Sequence, residues 1–242
     1  MHLIRPFPIA KLVLEKSLLT YRMNFGQPQD VYPTMWFIEG PKEKIVVDTG
    51  TDAKTASRLG FRAEPIATPG EALSRIGLQP DDIDVLILTH MHFDHMEFAK
   101  QFSRARVIVQ RSEYESAINP HPLLARGYMR ETFPDRSRFV LVDGDSEVVD
   151  GVKVLLTPGH TPGGQSVAVK TDRGNVVISG LCTIHENFFP KEEVSKLFPV
   201  ITPGIHTNVL QAYDSLMLIK RLADIVLPLH DATYCRKEVI PW

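Results

Sequence analysis

The run Asp84-Val-Leu-Ile-Leu-Thr-His90 is apolar throughout its centre. A strand carries such a run only when both of its faces are covered, so the chain must build a sheet with other structure packed on each side. Lys44-Ile-Val-Val-Asp-Thr-Gly50 is a second, β-branched run stopped by Gly50, and Asp224-Ile-Val-Leu-Pro-Leu-His230 is a third. Further strands fit Ala105 to Gln110 and Arg138 to Val142. Two hairpins follow. Val148 and Val149 face Val152 to Leu156 across Asp150-Gly151, and Gln165 to Lys170 faces Asn175 to Ser179 across Thr171-Asp-Arg-Gly174.

Helices are fewer. Thr68-Pro69-Gly70-Glu71 reads as a capping box with proline at the first helical position, and Gly77 as the stop. Ser112 and Glu115 read as a second box. The longest helix is expected after Thr207, where Val209, Ala212, Tyr213, Leu216, Met217 and Lys220 follow i, i+3, i+4 spacing with one polar exception. No repeat, low-complexity tract or linker divides the chain, so residues 1–242 are read as one mixed α/β (α+β) domain, with two packed sheets covered by helices outside.

At 43% hydrophobic and 23% charged residues the composition is that of a globular protein and excludes disorder or coiled coil. Lys+Arg 27 against Asp+Glu 29 leaves no basic excess to hold nucleic acid or an anionic membrane, which points to a small-molecule partner. The two cysteines, Cys182 and Cys235, make no disulfide framework. The N-terminal segment carries Arg5 and two prolines where a secretory leader needs an apolar stretch. No apolar run approaches the ~20 residues that span a bilayer. The expectation is a cytoplasmic protein.

The chemistry is concentrated in Thr89-His90-Met91-His92-Phe93-Asp94-His95, at the end of the first buried run. His90 and His92, two residues apart, point the same way in extended backbone and can share one ion. Asp94 and His95 lie just beyond, facing a second position. Imidazole and carboxylate suit Zn²⁺, iron or manganese better than the oxygen-loving Mg²⁺ and Ca²⁺. His160, in Leu155-Leu-Thr-Pro-Gly-His-Thr-Pro-Gly-Gly164, and His230 also end apolar runs and are candidate ligands.

The motif His-x-His-x-Asp-His, the later Thr-Pro-Gly-His-Thr-Pro-Gly and the terminal Leu-His-Asp together resemble the metallo-β-lactamase superfamily. Asp48 matches an aspartate that sits near the metals there. Thr20-Tyr21, Met35-Trp-Phe-Ile-Glu39 and Glu186-Asn-Phe188 resemble the N-acyl homoserine lactonase group within it. The resemblance implies an αββα sandwich, with His90, His92 and His160 on one metal and Asp94, His95 and His230 on a second. It also exposes a departure. The aspartate that normally bridges the metals falls on Leu181 or on Gly180, depending on alignment, and neither binds metal. The lactonase group's substrate-facing tyrosine is missing from the same segment. Cys182 is the nearest substitute ligand, with His185 behind it.

The expected activity is a metal-dependent hydrolase holding one or two Zn²⁺ ions, with iron or manganese as alternatives. It would open a lactone or cleave a small ester with metal-bound hydroxide, and Asp94 would orient that hydroxide and shuttle its proton. Met91, Phe93, Phe188 and Phe189 are candidates to line an apolar pocket. The competing readings are an iron-dependent oxidative enzyme and a metal-binding protein without catalysis. A nuclease is disfavoured by the neutral charge. A homodimer is left open.

Overall fold

The computed structural model describes residues 2–241. Its strands are β1 (Leu3–Pro8), β2 (Ala10–Glu15), β3 (Pro28–Val31), β4 (Thr34–Glu39), β5 (Lys44–Val47), β6 (Arg62–Pro65), β7 (Val85–Ile87), β8 (Arg106–Gln110), β9 (Phe139–Val142), β10 (Ser146–Val149), β11 (Val152–Leu156), β12 (Gln165–Thr171), β13 (Gly174–Ile178) and β14 (Ile225–Leu227). They form a six-stranded sheet in the order β1-β4-β5-β7-β8-β9, a five-stranded sheet in the order β10-β11-β12-β13-β14, and a small sheet β3-β2-β6.

The buried run behaves as its composition demands. Leu86 on β7 joins the core beneath the outer helices, with Met96, Phe102 and Val107. Its neighbours Val85 and Ile87 point the other way, into a second core shared with Val152, Val167, Ile178 and Leu227 of the five-stranded sheet. One strand thus feeds two cores, which is the αββα sandwich expected from the sequence. Both hairpins form where their turns predict. Val149 pairs with Val152 across Asp150-Gly151, and Thr171 pairs with Gly174, which leaves a loop two residues shorter than the sequence suggested.

Helix Val209–Leu222 starts at Asn208, whose side chain accepts from the backbone of Leu210 and Gln211. Its polar exception is explained: Lys220 Nζ donates to the carbonyls of Phe188 and Pro199, each at 2.8 Å. The Thr68 box forms as read, around helix Pro69–Ser74. The Ser112 box does not. Strand β8 runs directly into helix Arg111–Ile118 with Gln110 as the boundary residue, so Ser112 already lies inside the helix. Gln110 itself makes no cap, because its amide is engaged with Gly144 and Gln165.

Strand direction decides where the chemistry collects. Strands β5, β7 and β8 are parallel. In the other sheet β13 and β14 are parallel, and β11 runs the same way because each is antiparallel to β12. The segments that leave these strands meet at one edge: Gln165 N donates to Thr89 O at 2.8 Å, and His230 N to Thr183 O at 3.0 Å.

Candidate metal centre

Asp48 follows β5, His90 follows β7, His160 follows β11 and His230 follows β14. His92 keeps extended backbone (φ −68°, ψ 155°) and immediately precedes the short helix Phe93–Met96, which carries Asp94 and His95. The structure brings all six sequence-derived candidates together. His90, His92 and His160 form one group, and His90, Asp94 and His95 another, with ligand atoms within 4.8 Å of each other in each. His230 Nε2 lies 3.8 Å from Asp94 Oδ2. The two positions are contiguous, since His90 belongs to both groups.

Two of the rings, His160 and His95, are oriented by a second contact. His160 Nδ1 faces the Ile205 carbonyl at 2.8 Å, so that nitrogen carries the proton and Nε2 presents its lone pair toward His90 Nε2, 3.2 Å away. His95 Nδ1 meets Asp48 Oδ2 at 2.8 Å, and Nε2 points at Asp94 Oδ2, 3.3 Å away. Asp48 is buried, and its carboxylate also accepts from the Thr89 amide (2.8 Å) and hydroxyl (2.7 Å), which ties the His90 strand end to His95. His92 and Asp94 are only partly covered, and the centre opens to solvent there.

The electrostatics fit a cation. Burial, and then repulsion from neighbouring imidazoles, holds His90 well below its ordinary range. Burial and the His160 ring push His92 down to about 3. Burial, with His95 nearby, takes His230 to about 3 and His160 to about 4. Burial also opposes charge on His95, but the carboxylates of Asp94 and Asp48 win and raise it to about 10. Asp94 stays well below the usual carboxylate range despite its burial, because His95 lies beside it. Four imidazoles are therefore neutral, the form that binds metal. Buried His230 Nδ1 has no hydrogen-bond partner among the described residues. Crowding this many rings, one with an orphaned nitrogen, is costly in a folded protein, and a bound divalent ion would offset that cost.

The missing aspartate now has a structural account. A Cβ on Gly180 would lie 2.0 Å from the Gln165 carbonyl oxygen, so no side chain fits there. Leu181 is buried toward the helix layer, with Phe188, Leu216 and Ile219. Cys182 is buried on the other side, beside Phe93 and within electrostatic reach of Asp94. Burial pushes its thiol well up. His185 turns away from the centre: it is exposed, stacks on Phe189 with ring centroids 4.6 Å apart, and its backbone N–H is held by Asp231. The expected apolar lining is also corrected in part. Met91 and Phe188 are fully buried core residues, while Phe93 stacks on Phe61 at 5.8 Å beside the centre.

Glu113 was not singled out from the sequence. It is fully buried and reaches two of the ligand-bearing loops. The available signal was a carboxylate in the first turn of a helix that directly follows an apolar strand.

The two-sheet sandwich carries a His/Asp cluster suited to a metal ion along one shared edge. The chain belongs to the metallo-β-lactamase superfamily, whose family model matches residues 29–226. It is 29% identical over 232 residues to an N-acyl homoserine lactonase of a Bacillus species, covering 91% of this chain and 86% of that one. It is 30% identical over 183 residues to N-acyl homoserine lactonase AiiA of Bacillus thuringiensis subsp. kurstaki, covering 71% of each. A crystal structure of a B. thuringiensis AiiA variant with N-decanoyl-L-homoserine at its active site superposes with a TM-score of 0.77 at 26% identity, over 95% of this chain and 93% of that one.

Proposed function

We propose that this protein opens the ring of a lactone, an N-acyl homoserine lactone in the first instance, with small esters as secondary substrates. Zn²⁺ is the proposed metal: one ion held by His90, His92 and His160, a second and weaker one by Asp94, His95 and His230. The observation that carries the reading is the convergence of three neutral imidazoles next to a partly exposed, ionised aspartate in a chain similar to N-acyl homoserine lactonases. A divalent ion there supplies Lewis acidity toward the ester carbonyl and a water whose pKa drops to about 7.

The chain's own residues do the rest. Asp94, ionised and open to solvent, accepts the proton of the attacking water and returns it to the ring oxygen as the carbon–oxygen bond breaks. Asp48 keeps His95 oriented through Nδ1, and Ile205 does the same for His160. The exposed side of His92 and Asp94 is where the ring enters, with Phe93 and Phe61 offering apolar surface to its substituent.

The two cysteines are free and buried, which supports a cytoplasmic location. No helix among the described residues is long and apolar enough to cross a membrane. The test is metal quantification combined with a panel of lactones and esters assayed on the parent and on His92→Ala. Lactone opening that tracks metal content supports the reading, and a metal-loaded protein inert to the whole panel removes it.

A further inference from the structure

Glu113 sits in the first turn of helix Arg111–Ile118, completely buried, and the Met91, Gly163 and Tyr128 groups that donate to it are neutral. Oε1 accepts the Met91 amide at 3.0 Å, the peptide between His90 and His92. Oε2 accepts the Gly163 amide at 3.3 Å, three residues beyond His160. Oε1 also accepts the Tyr128 hydroxyl at 3.4 Å, and the Tyr128 ring packs on His92 with centroids 4.9 Å apart. The approach is close enough to demand glycine: a Cβ on Gly163 would lie 2.1 Å from the Glu113 nitrogen. A carboxylate buried without a cation is an expensive way to satisfy two amides, since a neutral acceptor would do.

We infer that Glu113 is a positioning residue which locks the His90–His92 segment and the His160 loop into one geometry and so sets the affinity of the metal position those three histidines form. It touches neither ligand nitrogens nor substrate. Its action is to fix the two loops through the amides it holds. The inference rests on the reading of His90, His92 and His160 as a metal position.

Glu113→Gln isolates the effect. The amide keeps the shape but offers one acceptor oxygen, so either Met91 N–H or Gly163 N–H must face an NH₂ group. The experiment is zinc titration of metal-free protein in competition with a chromophoric chelator, run on the parent, Glu113→Gln, Glu113→Asp and Tyr128→Phe. Urea unfolding of each metal-free form is measured in parallel. The expected result is a tighter zinc Kd weakened by about 10- to 100-fold in Glu113→Gln, the range seen when an outer partner of a metal site is lost. Tyr128→Phe is expected to change it less than about 3-fold, because only the 3.4 Å contact goes. If Glu113→Gln yields no folded protein, Glu113→Asp decides: it keeps the charge but shortens the reach by one methylene, and should weaken the same Kd. A folded Glu113 variant with lowered urea midpoint and unchanged zinc Kd means a purely structural carboxylate and overturns the inference. A parent protein that binds no zinc tightly fails one step earlier, at the metal reading itself, and the inference falls with it.

Discussion

His95 Nδ1 and Asp48 Oδ2 lie 2.8 Å apart in the buried interior, and the same oxygen accepts the Thr89 hydroxyl at 2.7 Å. Asp48 holds a left-handed backbone (φ +56°), a conformation aspartate and asparagine tolerate better than most residues. Asp48→Asn is therefore expected to fold, yet to lose the acceptor that fixes the His95 ring. The expected outcome is a kcat drop of about 10- to 100-fold with a small change in KM, measured by steady-state kinetics. An unchanged kcat would show that the pair does not orient the centre.

His160→Ala should remove the tighter metal and the activity together, because it deletes one of the three converging imidazoles. His230→Ala should spare that metal, since the contacts of the His230 ring are with Asp94 and His95. Metal content after dialysis, by elemental analysis, checks both. Retention of full metal by His160→Ala would remove it from the ligand set.

The strand end after β13 gives a three-way comparison. One of the two alignments puts the bridging aspartate at Leu181, and if that alignment held, Leu181→Asp would partly recover the second position. Leu181 packs in the helix-layer core, so the substitution buries an unpaired charge and should cost at least about 3 kcal/mol without gaining metal. Gly180→Asp should not fold, given the Gln165 carbonyl in its way. Cys182→Asp is the variant expected to raise occupancy of the second position, since Cys182 lies within electrostatic reach of Asp94. Urea unfolding and dialysis-resistant metal content read out all three; equal metal gain in Leu181→Asp and Cys182→Asp would contradict this assignment.

Stability of the metal-free protein should peak near neutrality. His92, His160 and His230 have folded pKa values of about 3 to 4, below the ordinary imidazole value of about 6.5. The unfolded chain takes up protons first, so their contribution is present above about pH 6.5 and is lost as pH falls toward 3. Each proton steepens that loss by about 1.4 kcal/mol per pH unit. His95 has the opposite sign. Raised to about 10, it stabilises fully below about pH 6.5, and that contribution is lost as pH rises through 10. Urea midpoints across pH 5 to 10 should fall on both sides of a maximum between about 6.5 and 7, more steeply on the acid side. A midpoint flat from 6.5 to 5 would mean that these rings are not buried neutral.

The legible parts of this chain were those where one residue type answers to one force. The Asp84–His90 run, the Asp150-Gly151 turn and the Thr68 box each encode their local structure, and the six histidine and aspartate side chains singled out lie close together. The N-terminal strands were not legible. β1 and β3 contain prolines, which suit edge strands, and β1 has only β4 as a full partner, with a single bridge from Ile4 to Ile240 on its other side. The fate of Gly180, Leu181 and Cys182 was equally hidden, because which side chain lies toward the histidine cluster depends on a close backbone approach from Gln165. Glu113 was missed for the same reason: its partners lie 22 and 50 residues away.

The central claim is that metal held by these histidines drives ring opening, and proton release measures it directly. In a pH-stat, N-acyl homoserine lactone is given to chelator-treated protein, to the same protein reconstituted with zinc, and to reconstituted His92→Ala. The account predicts one proton released per ring opened near neutral pH by the zinc-reconstituted parent, with little from the other two. Equal rates with and without zinc, or full activity in His92→Ala, would contradict it.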